Sequence, residues 1–89
     1  NINKCFMAAA GVTSKGNLSC IEPYELPYKK AAINSSSSRI LLVDSSKFGK
    51  MRPCMFSNLS DFDTVITDIG IDKNWINLFE QSNLDYIIV

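Results

Sequence analysis

Arg39-Ile40-Leu41-Leu42-Val43-Asp44 is the most informative stretch of the chain. Its aliphatic centre, Ile40 to Val43, has no polar alternation and ends at a carboxylate. A run of that length and composition suits a strand buried on both faces, as in a parallel sheet. The polar loop Ser45-Ser46-Lys47-Phe48-Gly49-Lys50 follows it directly. Upstream, Cys5-Phe6-Met7-Ala8-Ala9-Ala10 is a second run without alternation, stopping at Gly11-Val12-Thr13. Residues 14–17 read as a turn and 18–24 as a connector. A helix is predicted from Glu25, with Pro27 tolerated in its first turn because the missing N–H would be unpaired there anyway. Tyr28, Ala31, Ala32 and Ser35 share one face of that helix, and Ser35-Ser36-Ser37-Ser38 reads as its frayed end.

Downstream of the central run, Met55 and Phe56 predict a short strand, 59–63 a turn, and Thr64-Val65-Ile66-Thr67-Asp68 a third main strand. Asp72 is a suitable N-cap for a second helix. Trp75, Leu78 and Phe79, widened by Ile76, form its apolar stripe, and Asn83 suits a left-handed end. Asp85-Tyr86-Ile87-Ile88-Val89 closes the chain as a strand. The order strand, helix, strand, strand, helix, strand predicts an α/β fold with a mainly parallel sheet and flanking helices. Residues 51–63 lack a helical pattern, so an ordinary helical crossover is not expected between the second and third main strands.

Composition narrows the function. The 89 residues suffice for one small domain, and 46% of them are hydrophobic. The chain opens at Asn1 rather than Met, as expected of a piece of a longer protein, although a removed tag would leave the same start. Nine basic and nine acidic residues cancel, so this chain has no electrostatic reason to seek nucleic acid or an anionic membrane. No apolar run approaches the roughly 20 residues a membrane span needs. Three separated cysteines with no C-x-x-C pair argue against a disulfide framework and for a reducing, cytoplasmic compartment. With no His and no cysteine pair, neither a zinc site nor a His-assisted nucleophile is expected. Gly11 and Gly16 do not make a dinucleotide fingerprint, and Gly49-Lys50 is not a P-loop.

Ligands of open α/β sheets bind beyond the carboxyl ends of the strands. That rule selects Asp44, Ser45, Ser46 and Lys47. Two hydroxyls, backbone N–H groups and a lysine make a plausible anion cradle, although a solvated turn is the plainer reading of the same residues. Glu25 and Lys29, four apart at a helix start, form either a surface ion pair or part of the same pocket. Gly11 and the alanines before it allow close approach of a ligand, or of a crossing helix. Asp68 more often ends a strand or caps a turn than binds a ligand, and a metal pair at Asp61 and Asp63 has little support.

The string Leu41-Leu42-Val43-Asp44-Ser45-Ser46-Lys47-Phe48-Gly49 resembles the D-S-S-K-F-G signature of the DeoR family of bacterial transcriptional repressors. Three more stretches agree in order and spacing. Phe6 onward, ending Ala10-Gly11-Val12-Thr13, is similar to the family's strand and G-[IV]-[ST] turn. Glu25-Leu26-Pro27-Tyr28-Lys29-Lys30-Ala31-Ala32-Ile33 is similar to its E-x-x-x-K-[RK]-A-M-I helix, with Pro27 a departure. Leu59-Ser60-Asp61-Phe62-Asp63-Thr64-Val65-Ile66-Thr67-Asp68 is similar to its L-S-D-I-D-T-[LV]-I-T-D segment.

The resemblance implies an incomplete C-terminal effector domain, similar in fold to ribose-5-phosphate isomerase, spanning 1–89. It implies a phosphorylated sugar or sugar alcohol as ligand, sensed and not transformed. Lys47, Asp44, Ser45, Ser46, Glu25, Lys29 and Gly11 would line the site. No catalytic residue, metal or cofactor is expected. Operator DNA would be bound by a winged helix-turn-helix absent from this chain, in a homo-oligomer without membrane contact. The rival expectation is a sugar-phosphate isomerase relative with Glu25 as general base.

Overall fold

A computed structural model of the chain describes residues 2–89. The central strand is β4 (Ser36–Leu42) of a four-stranded parallel sheet ordered β1-β4-β6-β7, with β1 (Ile2–Ala8), β6 (Thr64–Thr67) and β7 (Asp85–Ile88). Helix α1 (Glu25–Ser35) carries the chain from β1 to β4, and α2 (Lys73–Gln81) from β6 to β7. The α/β class with a parallel sheet and two helices is as expected. So is the missing helix between β4 and β6: that connection runs instead through β5 (Cys54–Asn58) and a single 3₁₀ turn at Leu59–Asp61. Asn58 and Asp61 cap this turn reciprocally.

A second sheet differs from the sequence reading. It is antiparallel, ordered β2-β3-β5, with β2 (Gly11–Val12) and β3 (Asn17–Cys20). Residues 18–24, read as a connector, thus begin inside a strand. Leu18, Ser19 and Cys20 are all buried, so the strand shows no alternation that would have revealed it. The serine run is also corrected. The helix ends at Ser35, and Ser36 opens β4, where its hydroxyl donates back to the Ala32 carbonyl at 2.5 Å.

The main strands are buried on one face only. Cys5, Met7, Leu41, Val43 and Val65 point into the core under α1 and the second sheet. Their neighbours Phe6, Leu42 and Ile87 are 59%, 42% and 49% exposed. The register sets Phe6 beside Ile40, Leu42 beside Ile66, and Ile66 beside Ile87. The other face of the parallel sheet is therefore apolar and bare in this chain.

Helix α2 follows its sequence signals. Asp72 accepts from the Asn74 N–H at 2.9 Å, Phe79 is fully buried, and Asn83 ends the helix region at φ 55°. Helix α1 is rotated from expectation. Tyr28 is 77% exposed, whereas Ile33 is buried and Leu26 and Ala32 pack on the core. Leu26, Lys29 and Ile33 follow i, i+3, i+7 spacing, so Lys29 lies on the sheet-facing side.

Candidate functional site

The carboxyl ends of β1 and β4 meet the start of α1 around an open cleft of about 380 Å³. Its walls are Ala8, Ala9 and Ala10 from the end of β1, Cys20 and Ile21 from the end of β3, Glu25 and Lys29 from α1, and Lys47. The volume lies within the roughly 300–1,000 Å³ typical of small-molecule sites. Residues selected from two separate segments of the sequence, Glu25 and Lys29 from one and Lys47 from the other, thus share one concavity. The small side chains of Ala8 to Ala10 keep its floor open.

Each charged group is held differently. Lys29 turns inward: its ammonium donates to the Ala8 carbonyl at 2.8 Å and sits 4.8 Å from the centroid of the Phe56 ring. Among the described residues it makes no ion pair with Glu25, so the surface pair is not formed. The Glu25 carboxylate accepts from the Glu22 N–H at 3.3 Å. Lys47 stands on a 3₁₀ turn, Ser45–Lys47, with its ammonium 4.0 Å from the Asp44 carboxylate and its side chain 37% exposed.

The turn is built from its own polar groups. Asp44 caps it, accepting from the Ser46 N–H at 3.0 Å and from the Ser46 hydroxyl. Asp68 holds the other side, accepting from the N–H groups of Ser45 at 3.3 Å and Gly70 at 3.2 Å. The Lys47 N–H donates to the Asp44 carbonyl at 3.1 Å. The backbone donors that an anion cradle requires are therefore engaged within the protein. Of the turn, Lys47 alone lines the cleft. Asp44 lines a separate apolar hollow of about 300 Å³, with Leu42, Ile66, Thr67 and Asp68. Gly11 does not line the cleft, and an added Cβ there would come within 2.5 Å of the Lys50 carbonyl oxygen and 2.9 Å of the Ser19 hydroxyl. Its close approach is to protein backbone.

Two shifted groups report on these surroundings. Hydrogen bonds from Ser46, aided by Lys47 and Lys50, lower the Asp44 carboxyl. Burial, then the Glu25 carboxylate, raises the Cys20 thiol. A lowered carboxyl contributes while ionised, so the Asp44 clamp is complete above the ordinary value of 3.8 and fades as pH falls through its lower folded value. A carbon-detected NMR titration is expected to place the Asp44 midpoint below 3.8, and Ser46→Ala to move it upward.

Sequence reasoning missed Arg52, Cys20 and Ile21. Arg52 donates through Nε to the Ala10 carbonyl at 3.3 Å and through its backbone N–H to the Ser19 hydroxyl at 2.9 Å, bracing the wall. No periodicity marks the segment 51–53. Asp68 has the turn-capping role expected of it. Another concavity, of about 440 Å³, runs along α2 past Trp75 and Leu78 and carries no charged side chain, which makes it a poor anion site. Among the described residues no cluster of metal-ligating side chains occurs, and no helix is long and apolar enough to cross a membrane.

Comparison with known proteins bears on the family. A family model described as the DeoR C terminal sensor domain matches residues 1–69. The chain is 41% identical over 79 residues to the deoxyribose operon repressor of Escherichia coli (strain K12), covering 89% of this chain and 31% of that protein. It is 32% identical over 89 residues to an uncharacterized HTH-type transcriptional regulator of Haemophilus influenzae, covering 100% of this chain and 34% of that protein. The HTH-type transcriptional regulator IolR of Bacillus subtilis is 31% identical over 75 residues, covering 84% of this chain and 30% of that protein. The chain spans about a third of the length of these relatives.

Proposed function

The chain belongs to the DeoR C-terminal sensor domain family, and we propose that its cleft binds a phosphorylated sugar or sugar alcohol in order to report on it. The observation that carries this reading is the convergence of Lys47, Lys29 and Glu25 on one cleft at the carboxyl end of a parallel sheet. Lys47 supplies the point charge suited to phosphate, and Lys29 adds a second ammonium. Glu25 accepts from sugar hydroxyls. Asp44, Ser45 and Ser46 act by shaping the turn that aims Lys47.

Occupancy of the cleft biases the arrangement of domains or subunits, and so the operator affinity of a separate DNA-binding domain. A homo-oligomer and a cytoplasmic location belong to the same reading. The name of the deoxyribose operon repressor is a reason to include deoxyribose and its phosphates among the effectors tested.

Isothermal titration of the intact protein with pentose and hexose phosphates, and with the same sugars lacking phosphate, tests the reading. At least one phosphorylated sugar is expected to bind, and its unphosphorylated form to bind about tenfold more weakly or worse. Equal binding of the two forms would remove the anion site. Conversion of a bound aldose phosphate to its ketose would favour the isomerase reading, with Glu25 as base.

A further inference from the structure

Two cysteines whose sequence spacing argues against a disulfide framework are brought opposite each other by the second sheet. Strands β3 and β5 are antiparallel, and Cys20 pairs directly with Cys54. Residues directly opposite on such strands have Cα atoms roughly 4.5 or 5.5 Å apart and project to the same face. Both spacings fall in the range a disulfide spans without backbone movement.

The two thiols also lean toward the same place. Cys54 Sγ donates to the Ile21 carbonyl and Cys20 Sγ to the adjacent Glu22 carbonyl, each at 3.7 Å. Their exposure is unequal: Cys20 is 2% exposed, whereas Cys54 is half-buried and reachable from solvent. Cys5, the third thiol, is buried on β1 in the other sheet.

We propose that Cys20 and Cys54 form a reversible disulfide that ties β3 to β5 and resets one wall of the cleft. The oxidant is a small disulfide such as oxidised glutathione. The Cys54 thiolate attacks one of its sulfurs, the small S–S bond breaks, and one small thiolate leaves. Cys20, after losing its proton, attacks the Cys54 sulfur of the mixed disulfide and expels the second small thiolate. Two protein thiols are thereby oxidised by two electrons, and the small disulfide is reduced to two thiols that take up the two protons. The exposed partner reacts first and the buried one resolves, an order set by access. Burial and the neighbouring Glu25 keep Cys20 protonated, which slows resolution and favours the dithiol in a reducing compartment.

The link to the cleft rests on the ligand reading above. Cys20 lines the cleft beside Glu25 and Lys47. Bridging withdraws its S–H from the Glu22 carbonyl, and the Glu22 N–H is the group that holds the Glu25 carboxylate.

The intact protein is equilibrated in glutathione buffers of increasing oxidised fraction, quenched by alkylation under denaturing conditions, digested and peptide-mapped. A Cys20–Cys54 linked peptide is expected to rise with the oxidised fraction and to disappear on reduction, with Cys5 alkylated throughout. A glutathione adduct on Cys54 without the linked peptide, or a bridge to Cys5, overturns the proposal. Bridged and reduced protein are then titrated with inorganic phosphate. Affinities differing by about fivefold or more support the coupling to the cleft, and equal affinities overturn it. Phosphate binding to neither form counts against the anion site, while the peptide map still decides the bridge.

Discussion

Lys47→Ala is expected to lower affinity for a phosphorylated effector by about 10- to 100-fold, the loss of one or two charge-assisted hydrogen bonds. Its effect on folding stability should stay within about 0.5 kcal/mol, because the side chain is partly exposed and its ion pair with Asp44 is long, at 4.0 Å. The two readouts separate a ligand contact from a structural one. Lys29 would not give so clean a result: its ammonium is bonded to the Ala8 carbonyl and stacked near Phe56, so its loss disturbs the cleft wall as well. Lys47→Arg is a useful companion. It keeps the charge but replaces a compact ammonium with a broad fork, so partial recovery of affinity is expected. Calorimetric titration of both variants, together with urea unfolding, checks the prediction. An unchanged dissociation constant in Lys47→Ala would mean that the phosphate sits elsewhere.

Of the seven residues chosen from the sequence, Glu25, Lys29 and Lys47 line the cleft, whereas Asp44, Ser45, Ser46 and Gly11 do not, and the physical reasons differ by element. Asp72 and Asn83 announce a helix because capping chemistry is local, and both do what their side chains imply. The pocket position of Lys47 follows from one rule, that ligands gather at the carboxyl ends of parallel strands. Of the second sheet only β5 is legible, at Met55 and Phe56. Its strands β2 and β3 are two and four residues long, and Leu18, Ser19 and Cys20 are buried in succession, so neither length nor alternation marks them. Ala32 packs on the core as its spacing predicts, but the rest of the α1 face is misread because the sheet-side position between Leu26 and Ile33 is Lys29 rather than an apolar residue. A lysine is drawn inward here by a free strand-end carbonyl, which no pattern of hydropathy reports.

The main strands teach the converse lesson. Phe6, Ile40, Leu42, Ile66 and Ile87 read as doubly buried, yet they form one bare face in this chain. Their composition is that of a parallel sheet covered on both sides. A run of aliphatic residues therefore does not by itself distinguish a doubly covered strand from one with an open apolar face.

Phe79→Ala is expected to cost about 3–5 kcal/mol, the loss of a large buried side chain plus the cavity it leaves. For a chain of this size, total stability is roughly 4–13 kcal/mol at 0.05–0.15 kcal/mol per residue, so the variant approaches the unfolding threshold. Phe79 is fully buried and central to an aromatic cluster. Its ring centroid lies 5.8 Å from that of Phe48 and 5.9 Å from that of Tyr86, and Phe48 packs on Trp75 at 5.0 Å. The consequence reaches the site because Phe48 directly follows Lys47 and anchors the carboxyl end of its turn on this cluster. Molecules of the variant that remain folded should therefore also bind an anionic effector more weakly, unlike a variant that merely trims the surface of α2. Amide hydrogen exchange across α2 and β7 in the intact protein reads the first effect, and effector titration the second. Phe79→Leu, which keeps most of the volume, should cost less in both. A loss of protection below about 1 kcal/mol in Phe79→Ala would place the ring outside the core, and normal effector affinity in a strongly destabilised Phe79→Ala would detach the Lys47 turn from the cluster beneath it.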